Sequence, residues 1–231
     1  MSVVSPDLRA RVRGIAVPIA VAMGRVGLTP NALTLIGFGI AIIAAAVAAL
    51  QMWILAGVLV VFGGVFDLFD GALARATGKA GPLGAFMDSV FDRWGEGVVY
   101  LGILWGTLEM GLFRPVILTG AASVAAFMVS YVRAKSESEG FTPGKGMAAV
   151  GLAPREVRIV ILTLGLIGAG VIGTDIGSTT CDTCAGGAAY PAGALVLEAA
   201  LGLIAVLGTL TVIQRILHVV RQPSTDTTNQ A

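Results

Sequence analysis

The sequence predicts an all-α polytopic membrane protein with six transmembrane helices and an N-terminal interfacial amphipathic helix. Of its 231 residues, 56% are hydrophobic and the mean hydropathy is +0.88, which is more apolar side chain than a soluble domain can hide. Several apolar runs approach the ~20 residues that cross a hydrocarbon core of ~30 Å. We expect residues 1–30 to form the juxtamembrane amphipathic segment, residues 31–221 the six-helix domain, and residues 222–231 a disordered tail.

Six apolar segments account for the predicted spans. They are residues 32–50, 53–73, 85–108, 115–132, 157–173 and 192–217. With six spans and a cytoplasmic N-terminus, only Arg114 of the 15 Lys and Arg residues falls on the outer side. Because cytoplasmic loops retain basic residues, we expect both termini to lie on the cytoplasmic side of a bacterial-type plasma membrane. Trp53, at the start of the second span, is predicted to be an interfacial anchor.

The segment before the first span mixes basic and apolar residues. Arg9, Arg11 and Arg13 lie among apolar side chains, and Pro18 is expected to break the segment. A basic amphipathic segment of this kind lies in the membrane interface with its apolar face toward lipid; an unstructured basic arm is the alternative. It lacks the small-residue cleavage site of a signal peptide.

The sequence LTPNALT, residues 28–34, lies at the mouth of the first span. Pro30 favours a helix start, and Asn31 is suited to cap the helix that follows. A helix cap is a sufficient explanation of this segment from physical chemistry alone.

Four aspartates lie within two strongly apolar segments, in DLFDGALARATGKAGPLGAFMDSVFD, residues 67–92. Asp67 and Asp70 share a helix face, as do Asp88 and Asp92. In an antiparallel hairpin, Asp70 lies opposite Asp88 and Asp67 lies opposite Asp92, deeper in the membrane. Burying one carboxylate in a bilayer costs roughly 2.5–3.5 kcal/mol on insertion scales, so the cluster requires a positive partner. Mg²⁺ takes oxygen ligands, and the set suits one or two ions, with Mn²⁺ as an alternative.

Two other interpretations account for the four aspartates. One is a polar cluster that only stabilises a helical bundle. The other is a divalent-cation transporter or channel, for which an acidic intramembrane cluster is equally natural.

Eight residues of this stretch match every specified position of the pattern D-x2-D-G-x2-A-R-x8-G-x3-D-x3-D. They are Asp67, Asp70, Gly71, Ala74, Arg75, Gly84, Asp88 and Asp92. On these residues the chain resembles the CDP-alcohol phosphatidyltransferases. The resemblance implies transfer of a phosphatidyl group from CDP-diacylglycerol to a small polar acceptor with release of CMP. It also implies that Asp92 is the general base and a metal ligand beside the other three aspartates, and that the protein is a homodimer.

The resemblance further implies which residues hold the CDP part of the lipid substrate. They are Thr29, Pro30, Asn31, Thr34, Gly71, Ala74, Arg75, Gly81 and Gly84. A glycine lets a nucleotide approach the backbone closely, and the planar guanidinium of arginine suits a phosphate.

A second basic cluster follows the fourth span. Arg133 and Lys135 leave that span, while Arg155 and Arg158 begin the next one, where exposed helix N–H groups favour an anion. These residues suit a second phosphate, although positive-inside flanking also explains such clusters. The segment SYVRAKSESEG, residues 130–140, resembles the branch of the family that transfers to inositol phosphate. This favours inositol 1-phosphate as the acceptor, with glycerol 3-phosphate as the alternative.

Other features carry less information about function. Cys181 and Cys184, on the non-cytoplasmic side, are compatible with a disulfide, a metal site shared with another chain, or free thiols. His218, the only histidine, is expected at the interface and not in catalysis. The net charge of +1 gives no indication of nucleic-acid binding.

Overall fold

A computed structural model describes residues 6–141, 150–173 and 190–222. This part of the chain consists of α-helices and connecting turns and contains no β-strand, which confirms the all-α prediction. The helices are α1 (Pro6–Arg25), α2 (Pro30–Ala49), α3 (Trp53–Ala76), α4 (Pro82–Glu109), α5 (Phe113–Ser138), α6 (Arg155–Ile172) and α7 (Ala192–Val220). Cys181, Cys184 and the predicted tail beyond Gln222 lie outside the described residues.

Four helices of the described ranges, α2, α3, α5 and α7, are long and apolar enough to cross a membrane. The chain is therefore an integral membrane protein. The remaining two predicted spans coincide with α4, of 28 residues, and α6, of 18 residues. Both helices carry charged residues near the predicted site, among them Glu96 on α4 and Arg158 on α6, and these lower their hydropathy.

The cap of α2 differs from the prediction. The Ala32 N–H donates to the hydroxyl of Thr29 at 3.2 Å, and Pro30 is the first helical residue. The expectation that Asn31 caps this helix is wrong, because a proline at the first helical position makes the residue before it the cap. The side chain of Asn31 is exposed instead, within the predicted nucleotide site.

Trp53 is also placed differently from the prediction. It is only 2% exposed and belongs to the main hydrophobic core. The left-handed turn at Gln51 (φ 62°) precedes it. A Cβ added to Gly106 would lie 3.0 Å from the indole, so this glycine makes room for the ring. Trp53 therefore holds helices together in the bundle and is not an interfacial anchor.

Helix α1 continues through Pro18, so the predicted break is wrong. A proline within a helix removes one backbone hydrogen bond, and the helix continues on both sides of it. The helix packs along α3, where Ala20 is fully buried with Ala72 and Leu73. This contact attaches α1 to the part of α3 that carries Asp70. The interfacial location of α1 stays a prediction.

Small residues allow the core helices to approach one another closely. A Cβ on Gly102 of α4 would lie 2.1 Å from the carbonyl oxygen of Ala45 on α2. A Cβ on Gly165 of α6 would lie 2.4 Å from the Cβ of Ala200 on α7. Membrane helices commonly associate through such small-residue contacts, because no hydrophobic effect drives them together in lipid.

The arrangement of α2, α3, α4 and α6 leaves a cleft. Helix α2 packs along both α3 and α4, whereas direct contacts between α3 and α4 are few. A turn at residues 77–81 joins α3 to α4, and α6 packs against α3. Side chains from the facing sides of α3 and α4 therefore project into a space bounded by α2 and by the start of α6.

Candidate active site

The four aspartates lie at the two levels that their spacing predicts. Asp70 and Asp88 line an outer cavity, and Asp67 and Asp92 line an inner one. The charge of Asp88 interacts with those of both Asp70 and Asp67. The two levels are therefore adjacent and form one acidic region of the cleft.

The outer cavity has a volume of about 410 Å³, within the range of small-ligand sites. All nine residues predicted to hold the CDP group line it, together with Asp70 and Asp88: Thr29, Pro30, Asn31, Thr34, Gly71, Ala74, Arg75, Gly81 and Gly84. Lys79, Ala80 and Ala85 also line it, although the sequence pattern does not specify them. The signal available for Lys79 was its positive charge in the turn that follows Arg75.

Gly71 leaves space for the side chain of Arg75. A Cβ on Gly71 would lie 3.2 Å from Nη1 of Arg75, a tight contact. The guanidinium therefore folds back over its own helix toward the outer cavity. Glycine at position 71 therefore leaves the guanidinium of Arg75 in this position, four residues later on the same helix face.

Thr34 contacts one of the aspartates directly. Its buried hydroxyl donates to Oδ2 of Asp70 at 2.6 Å and lies 3.2 Å from the carbonyl oxygen of Pro30. The shorter contact, to a carboxylate, is the stronger one. Thr34 therefore orients Asp70 in addition to lining the cavity, a role that its sequence context does not indicate.

Arg155 connects the two inner aspartates. Its Nη2 lies 2.7 Å from Oδ2 of Asp67, and its Nη1 lies 2.8 Å from Oδ2 of Asp92. Arg93, which was not among the predicted site residues, lies 3.7 Å from the same oxygen of Asp92. Arg155 thus reaches the aspartates themselves, and two cations partly neutralise the inner level.

Arg158 has a different position from the one expected of a phosphate ligand. Its side chain is 1% exposed, with Nε and Nη2 bound to the two carboxylate oxygens of Glu96 at 2.8 and 2.7 Å. Its Nη1 donates to the carbonyl oxygen of Ala153 at 3.0 Å. All three nitrogens of the guanidinium are used within the protein, so the geometry does not leave Arg158 for an acceptor phosphate.

Arg133 and Lys135 each pair with a glutamate one turn later. Nε of Arg133 lies 3.0 Å from Glu137, and Lys135 forms an ion pair with Glu139. The charge of Arg133 also interacts with that of Arg93, whereas the electrostatic partners of Lys135 lie on its own helix. Arg133 therefore lies within electrostatic range of Arg93, whereas Lys135 lies on an exposed face of α5.

Arg215 is a further cation near this end of the cleft. It is 3% exposed, donates from Nε to the carbonyl oxygen of Val150 at 3.0 Å, and also donates to the carbonyl of Val129. Its charge interacts with that of Arg133. The sequence signal for Arg215 was its position within an apolar helix. A charged side chain is costly in lipid, so such residues usually face the bundle interior and mark a functional site.

The similarity to known families extends beyond the motif. The family described as CDP-alcohol phosphatidyltransferase matches residues 27–221 of this chain. The chain belongs to this family. It is therefore an enzyme of the phosphatidyltransferase class, and the nucleotide-sized cavity accords with that assignment better than with a cation channel.

Two relatives of this phosphatidyltransferase are similar to it in sequence over most of their length. The archaetidylinositol phosphate synthase of Pyrococcus horikoshii is 39% identical over 155 residues, which are 67% of this chain and 78% of the relative. The phosphatidylinositol phosphate synthase of Mycobacterium tuberculosis is 36% identical over 165 residues, 71% of this chain and 72% of the relative.

The fold is shared with crystal structures of the Mycobacterium tuberculosis phosphatidylinositol phosphate synthase. The structure with CDP-DAG bound has a TM-score of 0.74 and 28% identity, and the match covers 91% of this chain and 96% of that chain. The structure in complex with manganese and citrate has a TM-score of 0.73 at 28% identity, with 90% of each chain covered.

The donor atoms of this phosphatidyltransferase suit a hard divalent cation. The four aspartates provide only oxygen ligands, which Mg²⁺ and Mn²⁺ accept. Within residues 6–141, 150–173 and 190–222, no three acidic, His or Cys side chains converge into an ion cage of their own. Mg²⁺ is usually held by one or two carboxylates and completes its shell with substrate phosphates and water. Carboxylates beside a nucleotide-sized cavity fit that mode of binding.

Proposed function

We propose that this enzyme transfers the phosphatidyl group of CDP-diacylglycerol to a hydroxyl of inositol 1-phosphate, releasing CMP and forming phosphatidylinositol phosphate. The observation that carries the proposal is the meeting of a nucleotide-sized cavity, four aspartates and a group of arginines in one cleft. Both relatives described above are named as synthases of inositol phosphate lipids, which supports this acceptor over glycerol 3-phosphate.

The CDP group of the substrate occupies the outer cavity. Its contacts are the nine cavity residues that the family resemblance implies, from the motif, the LTPNALT segment and Gly81 of the linker between the two helices. Arg75 and Lys79 supply positive charge for the diphosphate. The diacylglycerol chains stay in the bilayer, because the cavity lies between membrane helices.

The divalent ion is Mg²⁺ or Mn²⁺, with one or two ions per site. Asp67, Asp70 and Asp88 hold it, and Asp92 lies beside them at the inner level. Thr34 keeps the carboxylate of Asp70 in one orientation through the 2.6 Å hydrogen bond. When bound, the ion neutralises charge on the diphosphate and on the leaving CMP.

Asp92 is the general base of the proposed reaction. The acceptor hydroxyl oxygen attacks the phosphorus that carries the diacylglycerol, and its proton passes to Asp92. The bond between that phosphorus and the bridging oxygen of CMP breaks, and CMP leaves with the electron pair. Both arginine contacts of Asp92 are to Oδ2, which leaves Oδ1 to accept the proton.

The phosphate of the acceptor binds at the arginine-rich side of the inner level. Arg155 uses two of its nitrogens on Asp67 and Asp92, but a guanidinium carries five N–H donors. Arg133 is the second ligand, with Arg93 and Arg215 within electrostatic range of it. Lys135, predicted as a further ligand, acts from the exposed face of α5 as a long-range charge.

The orientation in the membrane follows from the basic residues. We place α2 to α7 across the bilayer, with the cleft and both termini on the cytoplasmic side of a bacterial-type plasma membrane. Residues 1–30 form the interfacial segment, residues 31–221 the catalytic domain and residues 222–231 the tail. A homodimer is the expected assembly, as in the family.

The experiment that tests this function is CMP release by the purified protein in nanodiscs with CDP-diacylglycerol and Mg²⁺. Inositol 1-phosphate, glycerol 3-phosphate, inositol and serine are compared as acceptors. We expect turnover only with inositol 1-phosphate. Selective turnover with glycerol 3-phosphate would support the phosphatidyl transfer reaction but refute inositol 1-phosphate as the acceptor. Inactivity with every acceptor would refute the proposed reaction.

A CDP-linked diether lipid is the matched donor control for this assay. One named relative is an archaetidylinositol phosphate synthase, so the lipid chains are tested separately from the acceptor. Comparable turnover with both donors indicates that the enzyme recognises the CDP group and leaves the chains in the bilayer. A strict preference for the diether lipid would instead contradict diacylglycerol as the lipid part.

A further inference from the structure

Glu96 and Arg158 form a buried ion pair behind the inner aspartates. The side chain of Arg158 is 1% exposed and that of Glu96 is 9% exposed, and both carboxylate oxygens accept from the guanidinium. Neither residue is among the eight positions of the family motif. Removing two charges from water is costly, and well-packed apolar residues often serve stability as well or better. Stability alone therefore gives a weak account of the pair.

The pair lies directly next to the contacts that Arg155 makes. On α4, Asp92 and Glu96 are four residues apart, and on α6, Arg155 and Arg158 are three apart, so each couple shares a helix face. The two helices are thus joined by two successive ion pairs. Asp92 pairs with Arg155 at 2.8 Å, and one turn further along α4 Glu96 pairs with Arg158 at 2.7 Å.

Arg158 also holds the chain that leads into α6. Its Nη1 donates to the carbonyl oxygen of Ala153, two residues before Arg155. From the other side, the hydroxyl of Thr211 on α7 accepts from the N–H groups of Leu152 at 3.0 Å and Ala153 at 2.9 Å. The start of α6 is therefore fixed to α4 through Glu96 and Arg158, and to α7 through Thr211.

We propose that Glu96 and Arg158 are positioning residues that set Arg155 at Asp67 and Asp92 and thereby determine the affinity of the site for the phosphorylated acceptor. The proposal rests on the proposed function, because it assigns Arg155 to the acceptor phosphate. Arg158 is enclosed, and both carboxylate oxygens of Glu96 face Arg158, so the two residues act through Arg155. A side chain that must meet two carboxylates and a phosphate tolerates little displacement, since a shift of ~1 Å can reduce a rate by ~100-fold.

The test compares Glu96→Gln with Glu198→Gln as the matched control. Glu198 is also a carboxylate paired with an arginine, with a side chain 7% exposed, but its partner is Arg114 on α5 and not a cleft residue. We expect Glu96→Gln to raise the KM for inositol 1-phosphate by about tenfold or more, with the KM for CDP-diacylglycerol nearly unchanged. Glu198→Gln is expected to leave both constants near their wild-type values.

A double-mutant cycle tests whether Glu96 acts through Arg155. Arg155→Lys keeps the charge but loses the planar fork, and we expect its effect on the acceptor KM to be much less than additive with that of Glu96→Gln. Arg158→Lys is expected to reproduce the Glu96→Gln phenotype, because it also breaks the paired contact between residues 96 and 158.

Several outcomes would overturn the positioning role. One is an unchanged acceptor KM in Glu96→Gln. A second is an equal rise in both KM values together with a fall in melting temperature, which indicates that the pair is purely structural. A third is additive effects of Glu96→Gln and Arg155→Lys in the double-mutant cycle. The wild-type assay separates these outcomes from failure of the proposed function, because a wild-type protein that releases no CMP with any acceptor refutes the function itself.

Discussion

The hydroxyl of Thr34 and the carboxylate of Asp70 are 2.6 Å apart, although 36 residues separate them in the sequence. Thr34 lies in the first turns of α2, and Asp70 lies in the last two turns of α3. The contact joins the segment that lines the nucleotide cavity to one of the proposed metal ligands. Thr34 therefore belongs both to the lining of the outer cavity and to the hydrogen-bond partners of Asp70.

We expect Thr34→Val to reduce kcat/KM for CDP-diacylglycerol by about 10- to 100-fold, because a hydrogen bond to a charged group contributes ~1.5–3 kcal/mol. The measurement is initial CMP release at varied CDP-diacylglycerol. Thr119→Val is the control, since Thr119 is also buried but donates within α5, to the carbonyl of Pro115. Equal loss in the two variants would show that Thr34 has no special link to the site.

We expect Asp92→Asn to lower turnover by at least ~100-fold, the usual contribution of a general base. The amide cannot accept the hydroxyl proton, whereas the outer cavity is untouched. CMP release in a single turnover measures the chemical step, and binding of CDP-diacylglycerol measured separately should be retained. Near wild-type turnover would refute the assignment of Asp92 as the base.

Metal removal is the third test. Chelation of divalent ions by EDTA should stop CMP release, and excess Mg²⁺ or Mn²⁺ should restore it. In Asp88→Asn, we expect the Mg²⁺ concentration for half-maximal rate to rise, because one oxygen ligand of the ion is weakened. Electron paramagnetic resonance of free Mn²⁺ checks binding without turnover. Full activity in EDTA would contradict a metal-dependent mechanism.

Gly71→Ala should weaken the nucleotide site specifically. The added methyl group would lie 3.2 Å from Nη1 of Arg75 and displace its guanidinium. We expect a higher KM for CDP-diacylglycerol and an unchanged KM for the acceptor. Gly39→Ala on α2 is the control, since a Cβ there meets nothing within 4 Å. A shift of the acceptor KM alone would be the contrary result.

Gly102→Ala should destabilise the bundle without acting on the site directly. The new Cβ would lie 2.1 Å from the carbonyl oxygen of Ala45, so α2 and α4 must separate. Overpacking of this kind costs about 1–3 kcal/mol. Thermal unfolding in detergent, compared with Gly39→Ala, measures the loss. An unchanged melting temperature would show that these helices are not held at close contact.

Some features of the fold and the site depend on local sequence and were predictable from it. The apolar runs identify a helical membrane protein, because segment length and hydropathy are local properties. The spacing within residues 67–92 places the four aspartates at two levels, because helix periodicity fixes which residues share a face. The nine predicted cavity residues follow from the family resemblance, through the motif, the LTPNALT segment and Gly81 of the linker, and the structure brings them together.

Other predictions failed where a neighbouring helix decides the environment. Trp53 is buried because Gly106 of α4 leaves room for its ring, and Arg158 is withdrawn from the acceptor site because Glu96 of α4 takes its donors. Neither neighbour is close in sequence. Hydropathy and charge counts assign each residue to water, interface or lipid, but they do not register an opposing side chain.

The sequence by itself determined the class of the protein, the helices and the residues of the motif, since these depend on composition and on spacings of a few residues. The tertiary structure alone decided the partners of the buried charges. Arg155 meets Asp67 across 88 positions, and Arg158 meets Glu96 across 62. A charge in a low-dielectric interior must find its partner wherever helix packing places one, and that placement is set by the approach of small residues between helices far apart in the chain.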